Sequence, residues 1–62
     1  MKIRELLKNF FGDNEVQIKD SHDYSIRKFK NYEQAILHCG QHTVKNWYVE
    51  NDVLYISIQS QF

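Results

Sequence analysis

The chain has 62 residues, with Lys+Arg 8 balancing Asp+Glu 8 for a formal net charge of zero, and 15% of it is aromatic. That length leaves room for one domain, 1–62, and the composition excludes intrinsic disorder, which requires low hydrophobicity with high net charge. Two glycines and no proline exclude collagen-like and low-complexity classes, and a single cysteine excludes both an internal disulfide framework and a CxxC zinc site.

Ile3, Leu6, Leu7, Phe10 and Phe11 recur at helical spacing, with Lys2, Arg4, Glu5, Lys8 and Asn9 on the remaining faces. This is the stripe of an amphipathic helix, and Gly12 is placed to end it in a left-handed cap before an Asp13-Asn14 turn. Polarity then alternates along Glu15-Val16-Gln17-Ile18-Lys19, as in a half-buried strand. Asp20-Ser21-His22-Asp23 is a polar connection of hairpin length. The next strand, Tyr24 to Lys30, carries Ile26 and Phe29 at opposite parity, so both reach one core only across a bulge or near a strand end.

Asn31 is a good N-cap, with Gln34 at the second position of a capping box. Tyr32, Ala35, Ile36 and Cys39 form the apolar stripe of a short helix closed by Gly40. Thr43 to Glu50 and Val53 to Ser60 are rich in β-branched and aromatic residues, separated by Asn51-Asp52. Both turn residues tolerate positive φ, which a two-residue type I′ hairpin requires at its two central positions. That loop sets Glu50 opposite Val53, Val49 opposite Leu54, Tyr48 opposite Tyr55 and Trp47 opposite Ile56. One face then holds Trp47, Val49, Leu54, Ile56 and Ile58, and the other Val44, Tyr48, Val53 and Tyr55.

The order is α-β-β-α-β-β, which predicts an α+β domain: two hairpins in a four-stranded antiparallel sheet with both helices on one face. About 60 residues bury only ~60% of the surface exposed by the unfolded chain, so the core is marginal and gains from oligomerisation or dense aromatic packing.

The first candidate site is the sheet face that the helices leave open, with Tyr48, Tyr55, Val53 and Val44 as partner-binding residues. Tyrosine offers a large rigid contact area with a polar tip and is enriched in binding hot spots. A cross-strand Tyr pair also stabilises a hairpin on its own, by ~0.2–1 kcal/mol, and the same face can serve a homodimer. The second candidate is the basic run Arg27-Lys28-Phe29-Lys30. Arg27, Lys28 and Lys30 beside exposed aromatics have the ingredients of a single-strand nucleic-acid platform. Glu15, Asp20, Asp23 and Glu33 lie close in sequence and offset that charge, and a charged edge strand is also a device against aggregation.

His38-Cys39-Gly40-Gln41-His42 contains zinc-ligand residue types, but a structural zinc normally takes four protein ligands, and the fourth would come from His22 or Asp23 in a distant turn. No metal and no cofactor is expected. Cys39 sits near the C-terminal end of its helix, where the macrodipole disfavours a thiolate. No Ser/His/Asp grouping, Gly-rich phosphate loop or paired-carboxylate motif is present, so no enzymatic activity is expected.

Residues 1–11 hold no apolar stretch as long as a signal-peptide core and no segment approaches a membrane span, so a soluble cytoplasmic protein is the expectation. The opening Met1-Lys2-Ile3-Arg4-Glu5-Leu6-Leu7-Lys8, the strand Glu15-Val16-Gln17-Ile18 and the closing Asn51-Asp52-Val53-Leu54-Tyr55-Ile56-Ser57-Ile58 resemble small proteins of low-GC Gram-positive bacteria, their phages and mobile elements. The resemblance spans the chain on architecture and core residues, carries no catalytic signature and transfers no site residue. It implies a small cytoplasmic module that acts by binding a protein; the residues themselves offer the alternative, nucleic-acid binding through Arg27, Lys28 and Lys30 with the tyrosines of the sheet face.

Overall fold

A computed structural model of the chain describes residues 1–8, 12, 14–22 and 24–59. The elements follow the expected order: α1 (Ile3–Leu6), β1 (Glu15–Lys19), β2 (Ser25–Phe29), α2 (Tyr32–Cys39), β3 (Val44–Glu50) and β4 (Val53–Ile58). The four strands form one sheet in the order β2-β1-β4-β3, and both helices bury side chains into the same core cluster, so the chain is α+β with helices on one face.

The sheet is not purely antiparallel. Within each hairpin the strands are antiparallel, but the hairpins join through β1 and β4 as a parallel pair, with Val16 opposite Leu54 and Ile18 opposite Ile56. The cause lies in α2. A helix of eight residues rises about 12 Å, close to the length of a five-residue strand, and so can carry the chain back to the end of the sheet where β2 began. With β3 therefore running in the direction of β2, β4 runs with β1.

Asn51 and Asp52 occupy the turn with φ 52° and 62°, and the β3–β4 register is the expected one from Glu50–Val53 to Trp47–Ile56. Beyond Asn46, which still sits opposite Ser57, the expectation fails. A register shift between Val44 and Asn46 sets Val44 opposite Ile58, so Val44 turns into the core at 8% exposure instead of joining the tyrosines. Strict alternation assumes an unbroken ladder, and one extra residue inverts parity. In β2 a bulge does what the sequence required. Pairing shifts between Ile18–Arg27 and Lys19–Ser25, Phe29 is buried, and Ile26 packs against the core.

Helix α1 is a single turn. It ends at Leu6, with the Leu7 N–H closing back on the Ile3 carbonyl, and the expected cap at Gly12 is absent, because neither glycine has positive φ. Asn9, Phe10, Phe11 and Asp13 lie outside the described residues, as do Asp23 and Ser60. A helix this short gains nothing from cooperative propagation, so tertiary contacts hold it. The Ile3 and Arg4 N–H groups donate to the carbonyls of His42 and Gly40, at 2.9 and 3.1 Å, and Ile3 and Leu7 are buried. The Lys2 N–H donates to Glu5 Oε1 at 2.9 Å, which completes the first turn.

In α2, Asn31 Oδ1 accepts from the Gln34 N–H at 2.9 Å, as a cap should, and Ala35 and Cys39 point into the core.

Candidate functional site: the open sheet face

Because Val16, Ile18, Leu54 and Ile56 face the helices, the residues between them face away. On β1 these are Gln17 and Lys19, on β4 Val53, Tyr55 and Ser57, and on β3 Tyr48. The hairpin register sets Tyr48 directly opposite Tyr55, and their rings stack with centroids 4.9 Å apart and planes 17° from parallel. The parallel β1–β4 pairing sets Gln17 opposite Tyr55 and Lys19 opposite Ser57. From there Lys19 lays its ammonium 4.9 Å from the Tyr55 centroid and 5.6 Å from that of Tyr48, and donates to the Tyr48 hydroxyl at 3.1 Å. A cation over an exposed aromatic contributes ~0.5–1 kcal/mol, and here one cation fixes two rings.

Hydrogen bonds and one ion pair order the surroundings. Gln17 Nε2 donates to Ser25 Oγ at 2.6 Å, Lys28 pairs with Glu15 at 3.0 Å, and Asn14 Nδ2 donates to the Asp52 carbonyl at 2.8 Å. Beside the tyrosines lies a depression of about 390 Å³, with Ser57 among its lining residues at 5% exposure. Lys45 spans this end of the sheet, donating to the Ser21 carbonyl at 3.2 Å, while Asp20 Oδ1 accepts from the His22 and Tyr24 N–H groups and so shapes the β1–β2 turn.

Of the four residues expected on this face, Tyr48, Tyr55 and Val53 are brought together, and Val44 is not. Lys19 belongs to the cluster and was not assigned to it from sequence. Its outward parity on β1 was legible, but which strand β1 would join was not.

The basic run does not converge. Arg27 opposes Ile18, so it lies on the helix side, with its guanidinium carbon 5.3 Å from the Phe29 centroid. Lys28 lies on the open face against Glu15, and Lys30 follows the strand.

At the end of α2, the His38 ring stacks on Phe29 at 5.6 Å, with planes 4° apart, whereas Cys39 is buried in the core. Among the described residues, no three His, Cys, Asp or Glu side chains come together as a metal-binding group. Burial pushes the Cys39 thiol above its ordinary pKa, against the opposing pull of Arg27. Among the described residues no helix is long and apolar enough to cross a membrane. No protein-family model, curated protein or solved structure matches the chain.

Proposed function

We propose that the chain is a small, non-enzymatic protein-interaction module that modulates a larger protein by covering part of its surface. On its resemblance to small proteins of low-GC Gram-positive bacteria, their phages and mobile elements, the reading makes it a phage- or mobile-element-derived modulator that acts in the cytoplasm. The observation that carries the reading is the Tyr48–Tyr55 stack held by Lys19 on the open face. Ordering long side chains on binding costs ~0.5–1.5 kcal/mol each. Rings already fixed by stacking and by a cation forgo much of that cost, which favours them as hot-spot anchors. Val53, half-buried beside them on β4, supplies apolar area around the anchor.

The test is capture from a lysate of the source organism by immobilised wild-type chain and by the Tyr48→Ala/Tyr55→Ala double variant, each with and without nuclease. The double variant should keep its fold by circular dichroism and lose a stoichiometric protein that the wild type retains after nuclease. Equal capture by both would sink the site. Material that disappears with nuclease, and whose affinity falls steeply with salt, would move the function to nucleic acid and to Arg27, Lys28 and Lys30.

A further inference from the structure

The two edges of the sheet differ. The β2 edge is blunted by its bulge and by Arg27 and Lys28, consecutive charges on opposite faces. The β3 edge is not. Among the described residues, Met1 and Lys2 cover it only at its start, where the Val44 N–H donates to the Met1 carbonyl at 2.7 Å. From Lys45 to Glu50 every residue is exposed, and three consecutive large ones stand out: Trp47 at 49%, Tyr48 at 40% and Val49 at 52%. Trp47 and Val49 lie on the helix side of the sheet, but α2 packs over β1 and β2, at the far side.

The backbone of this edge is set for pairing. In a two-residue hairpin the residues flanking the loop, Glu50 and Val53, exchange both hydrogen bonds, and so does every second pair. Tyr48 is therefore bonded to β4, and Trp47 and Val49 turn their N–H and C=O groups outward.

The geometry points to a second copy of this chain as the occupant, paired antiparallel along β3 about a two-fold axis at Tyr48. Residues opposed across an antiparallel pair share a face, so a two-fold axis must pass through a residue position. With the axis at Tyr48, Trp47 opposes the second copy's Val49, and Val49 its Trp47. Their outward backbone groups exchange four hydrogen bonds, and the apolar side chains cover one another. On the other face Tyr48 meets Tyr48, extending each Tyr55–Tyr48 stack into a row of four rings. Asn46 meets Glu50, a neutral donor against a carboxylate.

With the axis at Trp47 instead, Lys45 would oppose Val49 and Asn46 would oppose Tyr48, which matches charge with apolar surface. Zero net charge removes repulsion between copies, and a marginal core gains from the added burial. The blunted β2 edge limits assembly to a closed dimer. This pairing does not depend on the chain having any other protein partner.

The test is mass by light scattering against concentration, with three variants. The wild type should shift from 7.5 kDa to twice that mass as concentration rises. Val49→Lys, at a 52% exposed position on the face opposite the tyrosines, should remain monomeric at every concentration with an unchanged circular dichroism spectrum. Tyr48→Cys should form an inter-copy disulfide on mild oxidation, because opposed residues that do not exchange hydrogen bonds bring their Cβ atoms within bonding range. Trp47→Cys should not, and Cys39, at 1% exposure, does not compete. A single 7.5 kDa wild-type species up to about 1 mM overturns the proposal, as does a dimer that survives Val49→Lys or cross-links through Trp47→Cys.

Discussion

The backbone N–H of Arg4 donates to the carbonyl of Gly40 at 3.1 Å, so the first turn of α1 is seated on the last turn of α2. The donors left free at one helix start meet the carbonyls left free at another helix end, and each terminus satisfies the other without solvent or side chains. The contact is close because residue 40 has no side chain. A Cβ there would collide with the Ile36 carbonyl oxygen and stand 3.3 Å from Arg4 Cβ. The glycine is needed for that approach rather than for its dihedral angles, since its φ is −59°.

Gly40→Ala should therefore destabilise the chain by about 1–3 kcal/mol, the usual range for overpacking against backbone. Chemical denaturation monitored by Trp47 fluorescence measures it. A gain in stability, as expected for Gly→Ala at an unobstructed helix end, would show that the two helix termini do not pack as described.

Val44 and Val53 separate the core from the open face. Val44→Ala should cost about 1–3 kcal/mol through lost burial and a cavity beside Ile58. Val53→Ala, at a half-buried outward position, should cost less than half as much. Equal costs in a denaturation series would mean that the β3 bulge does not turn Val44 inward.

At the hairpin, Asp52 holds φ 62°, a conformation costing an L-residue roughly 1 kcal/mol. Asp52→Gly should raise stability by about 0.5–1 kcal/mol, and the Asn14 bond survives because it goes to the backbone carbonyl. A fall in thermal midpoint would contradict the type I′ turn.

Glu5 gives the α1 contact a pH dependence. The Lys2 N–H holds its carboxyl below the ordinary value against the opposing effect of desolvation, and the N-terminal ammonium, Arg4 and Lys2 each add a smaller pull in the same direction as the hydrogen bond. A depressed folded-state pKa stabilises fully above the unfolded value of about 4.3 and is lost as pH falls through the lower folded value. Glu5→Gln should therefore be less stable than wild type at neutral pH, with the gap closing in acid below that range. Parallel urea titrations across pH test this, and a gap that widens in acid would reverse the sign.

Much of the local structure was legible along the chain. Asn51-Asp52 prescribed its turn and, through it, the Tyr48–Tyr55 pair. Asn31 announced the start of α2, and the opposed parity of Ile26 and Phe29 called for a bulge. These readings hold because each depends on a few neighbouring residues whose backbone preferences act locally. Besides the all-antiparallel sheet, two expectations failed where the deciding force was remote. The stripe Ile3, Leu6 and Leu7 is compatible with a long helix, but α1 is held by the Gly40 and His42 carbonyls just past α2 and ends after one turn. Val44 reads as outward by alternation from Tyr48, and only the pull of the core on Val44 and Ile58 shows where the ladder slips.

By itself, then, the sequence determined the element order, both hairpins and the pairing that stacks Tyr48 on Tyr55, since turn chemistry and period-two alternation act over a few residues. Only the tertiary structure decided that β1 runs parallel beside β4, because that direction depends on how far α2 carries the chain before β3 begins. It thereby also decided that Lys19, remote in sequence from either tyrosine, caps them both. The partnership needs two strands to meet whose side-chain alternation suits either direction equally, so nothing local to Lys19 specifies it.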